Sequence, residues 1–217
     1  MNVQAAESST GPGLFQQHGY VVVPGLIDAA LVDFLASYIG TRFASRLLSN
    51  GDNFVPNTPS DYGDPAIEAL LEYVRPQIER HTGLLLHPTY SYYRLYKHGD
   101  VLKRHLDRPA CEISVTLNIA QTPAEPWPIY VKRDAGPYAA LLQPGDALIY
   151  RGCDCAHWRD AYTGRQLAQV FLHYVDREGP YAAEKFDGRQ TLMRPAVAKK
   201  TIVNGAQIES MESGQDA

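Results

Sequence analysis

His105-Leu106-Asp107 places an imidazole and a carboxylate two residues apart. In an extended strand positions i and i+2 face the same way, so this pair can be offered to one metal ion. The motif alone discriminates little, because His98-Gly99-Asp100 has the same form. There the central glycine and the polar Lys97 mark a turn between strands, where the side chains need not converge. His105 and Asp107 gain weight from residues further along. His157 follows Gly145-Asp146-Ala147-Leu148-Ile149-Tyr150, which reads as a turn leading into a strand, and Arg165 opens the strand after it. Tyr96 lies on the strand before His105. Two histidines and one carboxylate are the facial ligand set suited to non-haem Fe(II), with positions left open for a chelating cosubstrate and dioxygen. An arginine on a strand beside such a site is a rigid, bidentate partner for a carboxylate.

With Tyr96, His105, Asp107, the Gly145–Tyr150 lead, His157 and Arg165 together, the segment from about Tyr90 to Val175 resembles the 2-oxoglutarate and Fe(II)-dependent oxygenases, especially the prolyl-4-hydroxylase-like branch. The resemblance implies a double-stranded β-helix, a cupin-like jelly roll, with N-terminal helices packed on its outside. It implies that His105, Asp107 and His157 hold Fe(II), and that 2-oxoglutarate and O2 are cosubstrates. Arg165 would pair with the far carboxylate of 2-oxoglutarate, and Tyr96 would hydrogen-bond the same molecule. Halogenating relatives carry a small residue in place of the acidic ligand; Asp107 is present here, so the implied outcome is hydroxylation of an unactivated C–H. The substrate would be an amino-acid-like small molecule or a protein side chain, and 2-oxoglutarate would leave as succinate and CO2. One position departs from the pattern. Aligning Val115-Thr116-Leu117-Asn118 puts Val115 where several members carry a Tyr or Thr that contacts the cosubstrate, and valine has no hydrogen to donate.

Two other readings use the same residues. A metal-binding β-sandwich of the cupin type, acting as an isomerase or a non-redox ligand-binding module, shares the histidine ligands but has no need of Arg165. Cys153-Asp154-Cys155-Ala156-His157 would align two sulfurs and a nitrogen in a strand and suit zinc, although the lone Cys111 is the only further cysteine to complete it. On the substrate side, strand alternation puts Tyr92 and Arg94 on the face of Tyr96, while Arg108, Trp158 and Arg159 flank the expected ligands. Their charge fits either a substrate carboxylate or salt bridges at the barrel mouth. His173, in Phe171-Leu172-His173-Tyr174-Val175, reads as a hydrogen-bonded strand histidine rather than a ligand.

The elements that must position these residues follow from periodicity. Tyr20–Val23 is a β-branched run stopped by Pro24-Gly25, and Asp28 caps a helix through about Ile39. Asp64 caps a second helix with Pro65 at its first position, an apolar stripe through Ile67, Leu70, Leu71 and Val74, and Gly83 at its end; Pro76 is expected to kink or split it. Beyond Gly83 the period changes to short segments at 88–97, 101–106, 111–120, 128–132, 138–142, 146–150 and 166–175. The expectation is an α+β chain, mainly β, forming a single domain over residues 1–217 with loose ends at 1–13 and 195–217. Residues 50–61, rich in Pro, Gly and Asn, read as a loop.

Composition sets the outer limits. The 217 residues are 45% hydrophobic and carry a formal charge of −4, which supports a packed core and gives no electrostatic reason for nucleic-acid or anionic-membrane binding. No apolar run is long enough to span a bilayer, and three cysteines do not make a disulfide scaffold, so the expected location is cytoplasmic.

Overall fold

The computed structural model describes residues 12–122, 127–134, 136–192, 202–203 and 206–207. Most of the N- and C-terminal segments expected to be loose lie outside these residues. Helix α1 (Pro12–His18) leads into β1 (Tyr20–Val23), and α2 (Ala29–Ala44) follows. Asp28 caps α2 by accepting from the Leu31 amide at 2.9 Å, and the helix runs past Gly40 to Ala44, because Leu35 and Ile39 anchor its buried side. Strands β2 (Ser49–Gly51) and β3 (Pro56–Tyr62) then form a hairpin where the sequence suggested only a loop. Its turn is closed by Asp52, whose Oδ1 accepts from the amides of Phe54 and Val55. Helix α3 (Pro65–Thr82) starts under the Asp64 cap and ends at left-handed Gly83. It continues through Pro76 rather than breaking: Pro76 is exposed, and Ile67, Leu70, Leu71, Val74 and Ile78 bury one continuous stripe along the helix.

The remaining strands are β4 (Leu86–Lys97), β5 (Leu102–His105), β6 (Ile113–Thr122), β7 (Ile129–Lys132), β8 (Tyr138–Ala140), β9 (Ala147–Arg151), β10 (Ala156–Arg159) and β11 (Gln166–Asp176), with a small pair β12 (Ile202–Val203) and β13 (Ala206–Gln207). They form a seven-stranded sheet in the order β1-β9-β6-β11-β4-β3-β2 and a four-stranded sheet in the order β5-β10-β7-β8, with every pairing antiparallel. The two sheets are the walls of a double-stranded β-helix.

Alternation along the large sheet separates two environments. Tyr93, Leu95, Ile113, Val115, Leu117, Val170, Leu172 and Tyr174 join α2 and α3 in the main apolar core. Burying that much apolar surface is the main force holding the helices on the sheet. The opposite face carries Tyr92, Arg94, Ser114, Thr116, Tyr150, Phe171 and His173, which are polar or aromatic and look toward the small sheet. The turn before β9 is fixed by Asp146, which accepts from the amides of Gly25 and Gln143. Gly145 beside it sits at φ +92°, and a Cβ there would meet the Ile27 carbonyl at 2.8 Å.

The segment 182–189 is tied to α3 by a fully buried ion pair, Arg189 to Glu68 at 2.6 Å, and Arg189 also donates to the carbonyls of Thr89 and Phe186. Removing one partner leaves the other charge buried. Glu68→Ala is therefore expected to lower the unfolding free energy by ~3–5 kcal/mol in a guanidinium titration, and a change within the scatter of surface substitutions would contradict the role given to this pair.

Candidate metal centre

Strand pairing brings the two histidines together. His105 at the end of β5 is directly opposite His157 on β10, and their ring centroids are 4.2 Å apart. Asp107 follows β5 and is held by its amide, which donates to the Gly152 carbonyl at 2.9 Å. His105 Nε2 and His157 Nε2 each lie 3.6 Å from Asp107 Oδ1, and all three ligand atoms fall within 4.8 Å of one another. Ligands about 2.1 Å from one ion are about 3.0 Å apart when adjacent and about 4.2 Å apart when opposite, so these spacings fit a single ion.

The surrounding hydrogen bonds prepare the same three atoms. His105 Nδ1–H donates to the Lys103 carbonyl at 2.7 Å and His157 Nδ1–H to the Cys155 carbonyl at 3.0 Å. A carbonyl only accepts, so both rings carry their proton on Nδ1 and turn the Nε2 lone pair to the site. Burial lowers the pKa of His157 and the neighbouring His105 adds to this, against an opposing pull from Asp107; the neutral form is the one that ligates. Ser114 Oγ–H donates to Asp107 Oδ2 at 2.8 Å, occupying one carboxylate oxygen and leaving Oδ1 for metal. His173 donates in turn from Nδ1 to Ser114 Oγ at 3.0 Å, and burial pushes its pKa down to about 4, so it stays a neutral donor. Gly152 packs against this group so closely that a Cβ would stand 2.4 Å from Asp107 Oδ2 and 2.2 Å from the Cys111 carbonyl.

A second group, Asp107, Cys111 and His173, also has ligand atoms within 4.8 Å of one another. It is the poorer site. Burial and the Asp107 charge push the Cys111 thiol far above its ordinary range, so it is not a thiolate, and its Sγ is 3.0 Å from the Tyr90 hydroxyl. The alternative zinc arrangement of Cys153, Cys155 and His157 does not form: Cys155 is buried against Gly19 in a separate apolar cluster, while Cys153 is directed to the Arg108 carbonyl. His98 and Asp100 sit in the turn expected of them, with Asp100 bound to Lys97 and Thr58.

The three ligands open onto a cavity of about 400 Å³. Its wall is aromatic, with Phe54, Tyr62, Tyr90, Tyr92 and Phe171. Phe54 also packs on the His105 ring at 4.6 Å and Tyr150 on the His157 ring at 4.6 Å; His157 is buried, and His105 is half-buried beside the exposed Phe54. Arg94 lines the cavity and is paired with Asp52, to which Tyr92 also donates. Arg108 lines it too and forms a two-pronged pair with Asp187 at 2.6 and 2.8 Å. Tyr62 donates to the same Asp187 at 2.6 Å.

Three expectations from sequence need correction. Arg165 is exposed in the bend before β11 and lines no part of the cavity; among the described residues its amide donates to the Thr122 carbonyl. Trp158 points to the other side of β10, stacked on Tyr130 and under Arg104, because alternation puts it opposite His157 and Arg159. Val115 belongs to the helix-facing core, so no cosubstrate donor is missing there; its neighbours Ser114 and Thr116 are the residues of β6 that face inward. Tyr96 is completely buried beside Trp127, and its hydroxyl accepts from Arg94 at 3.1 Å. Arg159 is buried, no carboxylate among the described residues pairs with it, and desolvation pulls its pKa down to about 10. Ser114, His173, Asp52, Phe54 and Asp187 were not singled out as site residues by sequence reasoning. Inward alternation along β6 and β11 was the available signal for the first two.

No family model matches the chain, and no curated protein matches it by sequence. Solved structures do match by fold. A prolyl-4-hydroxylase from Pseudomonas putida aligns at TM-score 0.62 with 19% identity, covering 77% of this chain and 97% of its own. A prolyl hydroxylase from Trichoplax adhaerens, in complex with a hypoxia-inducible-factor peptide, aligns at 0.65 with 15% identity over 84% and 93%. The epimerase SnoN, in complex with Fe3+, α-ketoglutarate and nogalamycin RO, aligns at 0.66 with 15% identity over 92% and 94%. The chain therefore has the double-stranded β-helix fold of the 2-oxoglutarate and Fe(II)-dependent oxygenases.

If Ser114 and Gly152 position Asp107 as described, Ser114→Ala is expected to weaken divalent-metal binding roughly 10–100-fold while leaving the circular dichroism spectrum intact. Gly152→Ala should weaken it further, since backbone and carboxylate both stand in the way of the added methyl. Calorimetric titration with Mn(II) measures both; unchanged affinity in Gly152→Ala would contradict the packing.

Proposed function

We propose that this protein is an Fe(II) and 2-oxoglutarate-dependent oxygenase in which His105, Asp107 and His157 hold the iron. The observation that carries this reading is the presentation of two Nε2 lone pairs and one carboxylate oxygen to a common point, with every other polar atom of the three groups already engaged. When bound, the iron and 2-oxoglutarate supply the oxidation of an unactivated C–H by O2, with release of succinate and CO2.

The chain's own residues do the rest. The backbone carbonyls of Lys103 and Cys155 orient the imidazoles, and Ser114 directs Asp107 to offer one oxygen. Phe54 and Tyr150 pack against the ligand rings and hold their orientation. The substrate lies against the aromatic wall of Tyr62, Tyr90, Tyr92 and Phe171, which favours a partly apolar organic molecule or side chain. Arg94 and Arg108 are each already matched by a carboxylate, Asp52 and Asp187, so the mouth places no demand for an anionic substrate. A cavity of about 400 Å³ suits an amino-acid-sized small molecule or a single side chain inserted from a peptide. Hydroxylation is the outcome most in keeping with an intact carboxylate ligand. The fold neighbours include an epimerase and a carbocyclase, so product analysis must accompany any assay.

Anaerobic addition of Fe(II) and 2-oxoglutarate is expected to produce a weak visible charge-transfer band without any substrate present. Asp107→Ala should abolish both this band and succinate formation while remaining folded. Full succinate production by that variant would end the ligand assignment.

A further inference from the structure

Ser114 Oγ has three polar neighbours: Asp107 Oδ2 at 2.8 Å, the Cys111 carbonyl at 3.1 Å and His173 Nδ1 at 3.0 Å. The first two only accept, so the single hydroxyl proton is directed to them and the histidine nitrogen must donate. Burial keeps the ring neutral, which puts its one proton on Nδ1 and leaves a bare lone pair on Nε2. That nitrogen has no hydrogen-bond partner among the described residues and is not sealed from solvent; His173 lines the cavity, so the lone pair opens into it. It stands alone there. Among the described residues, every other ring nitrogen and carboxylate oxygen lining the cavity is either hydrogen-bonded or turned to the metal, with Asp52 holding Phe54, Val55, Tyr92 and Arg94, and Asp187 holding Arg108 and Tyr62. The metal centre is close, since a His173 ring nitrogen and an Asp107 carboxylate oxygen lie within 4.8 Å of each other.

We propose that His173 is a specificity-determining residue: its Nε2 accepts a hydrogen bond from an N–H or O–H of the substrate, and so selects molecules that carry such a donor beside the C–H presented to the metal; this rests on the oxygenase reading above. Before substrate enters, water satisfies the nitrogen. A substrate that fills the aromatic cavity of about 400 Å³ displaces that water, and unless it brings a donor of its own the nitrogen is left buried and unpaired. A purely apolar molecule is therefore penalised in a pocket whose walls would otherwise suit it. The direction of the lone pair is preset. Ser114 holds the far side of the imidazole, and the Tyr90 ring packs on it with centroids 4.5 Å apart. Tyr90 in turn stacks on Tyr62 at 5.0 Å, and the Tyr62 hydroxyl donates to Asp187 at the mouth. This row fixes His173 before substrate arrives, so little ordering cost falls on binding. A histidine that only braced Ser114 would have no need of an open second nitrogen.

The test compares indole with benzofuran, which match in ring size and differ by one N–H, on Zn(II)-loaded protein that does not turn over. Calorimetry is expected to show wild type binding indole about 10-fold or more tighter than benzofuran. His173→Phe keeps a ring against Tyr90 and has no acceptor, so it should bind the two equally. That ratio, unlike the metal affinity of the same variant, does not respond to a loosened Ser114. If His173→Phe does not fold, proton–nitrogen correlation spectra of wild type with isotope-labelled histidine carry the test. The His173 Nε2 resonance should lie in the range of an unprotonated ring nitrogen, and should move when indole is added but not when benzofuran is. Equal binding of the two by wild type, failure of wild type to bind indole, a preference that survives His173→Phe, or a proton found on Nε2 overturns the assignment. A wild type that prefers indole but gives no charge-transfer band with Fe(II) and 2-oxoglutarate overturns the oxygenase reading, and with it the substrate role, while the acceptor itself stands.

Discussion

The pairing of β5 with β10 is the constraint on which the centre depends. It places His105 across from His157, and each ring is then locked by the carbonyl two residues earlier in the chain, that of Lys103 on β5 and that of Cys155 just before β10. Two short strands could not hold this geometry alone. They are positioned by the large sheet, whose outward face is covered by α2 and α3 and whose inward face supplies Ser114 and His173 to the third ligand. The apolar core and the polar centre are thus two sides of the same strands, separated by the simple alternation of side chains.

The same alternation explains why the convergence of His105, Asp107 and His157 was legible in the sequence and the surroundings of Arg165, Val115 and Trp158 were not. His105 and Asp107 announce themselves by spacing, and His157 by the turn-and-strand lead before it. Arg165 fitted the pattern by its position after His157, yet it falls in the bend that precedes β11, where nothing forces its side chain inward. Val115 was misjudged by one residue of register, which is enough to move a side chain from the cavity to the core. Trp158 failed for the same reason: a residue between two inward-facing ones must face outward.

Long-range features were not legible. The 50–61 segment looked like a loop because Pro, Gly and Asn dominate it, but pairing of β3 with β4 turns part of it into an edge of the large sheet and brings Asp52 and Phe54 to the cavity. Asp187 lies far along the chain in a segment without periodicity; Arg108 and Tyr62 bind it at the mouth, and Glu68 with Arg189 pins the same segment to α3. Tertiary ion pairs of this kind leave no local signature in sequence.

The central claim is that His105, Asp107 and His157 share one metal, although Asp107 also belongs to a second group with Cys111 and His173. Anomalous diffraction from crystals equilibrated with Mn(II) separates the two directly. A single peak bounded by His105 Nε2, Asp107 Oδ1 and His157 Nε2 is the predicted result; a peak on the Cys111 and His173 side of Asp107, with the His105 and His157 rings left free, would contradict it.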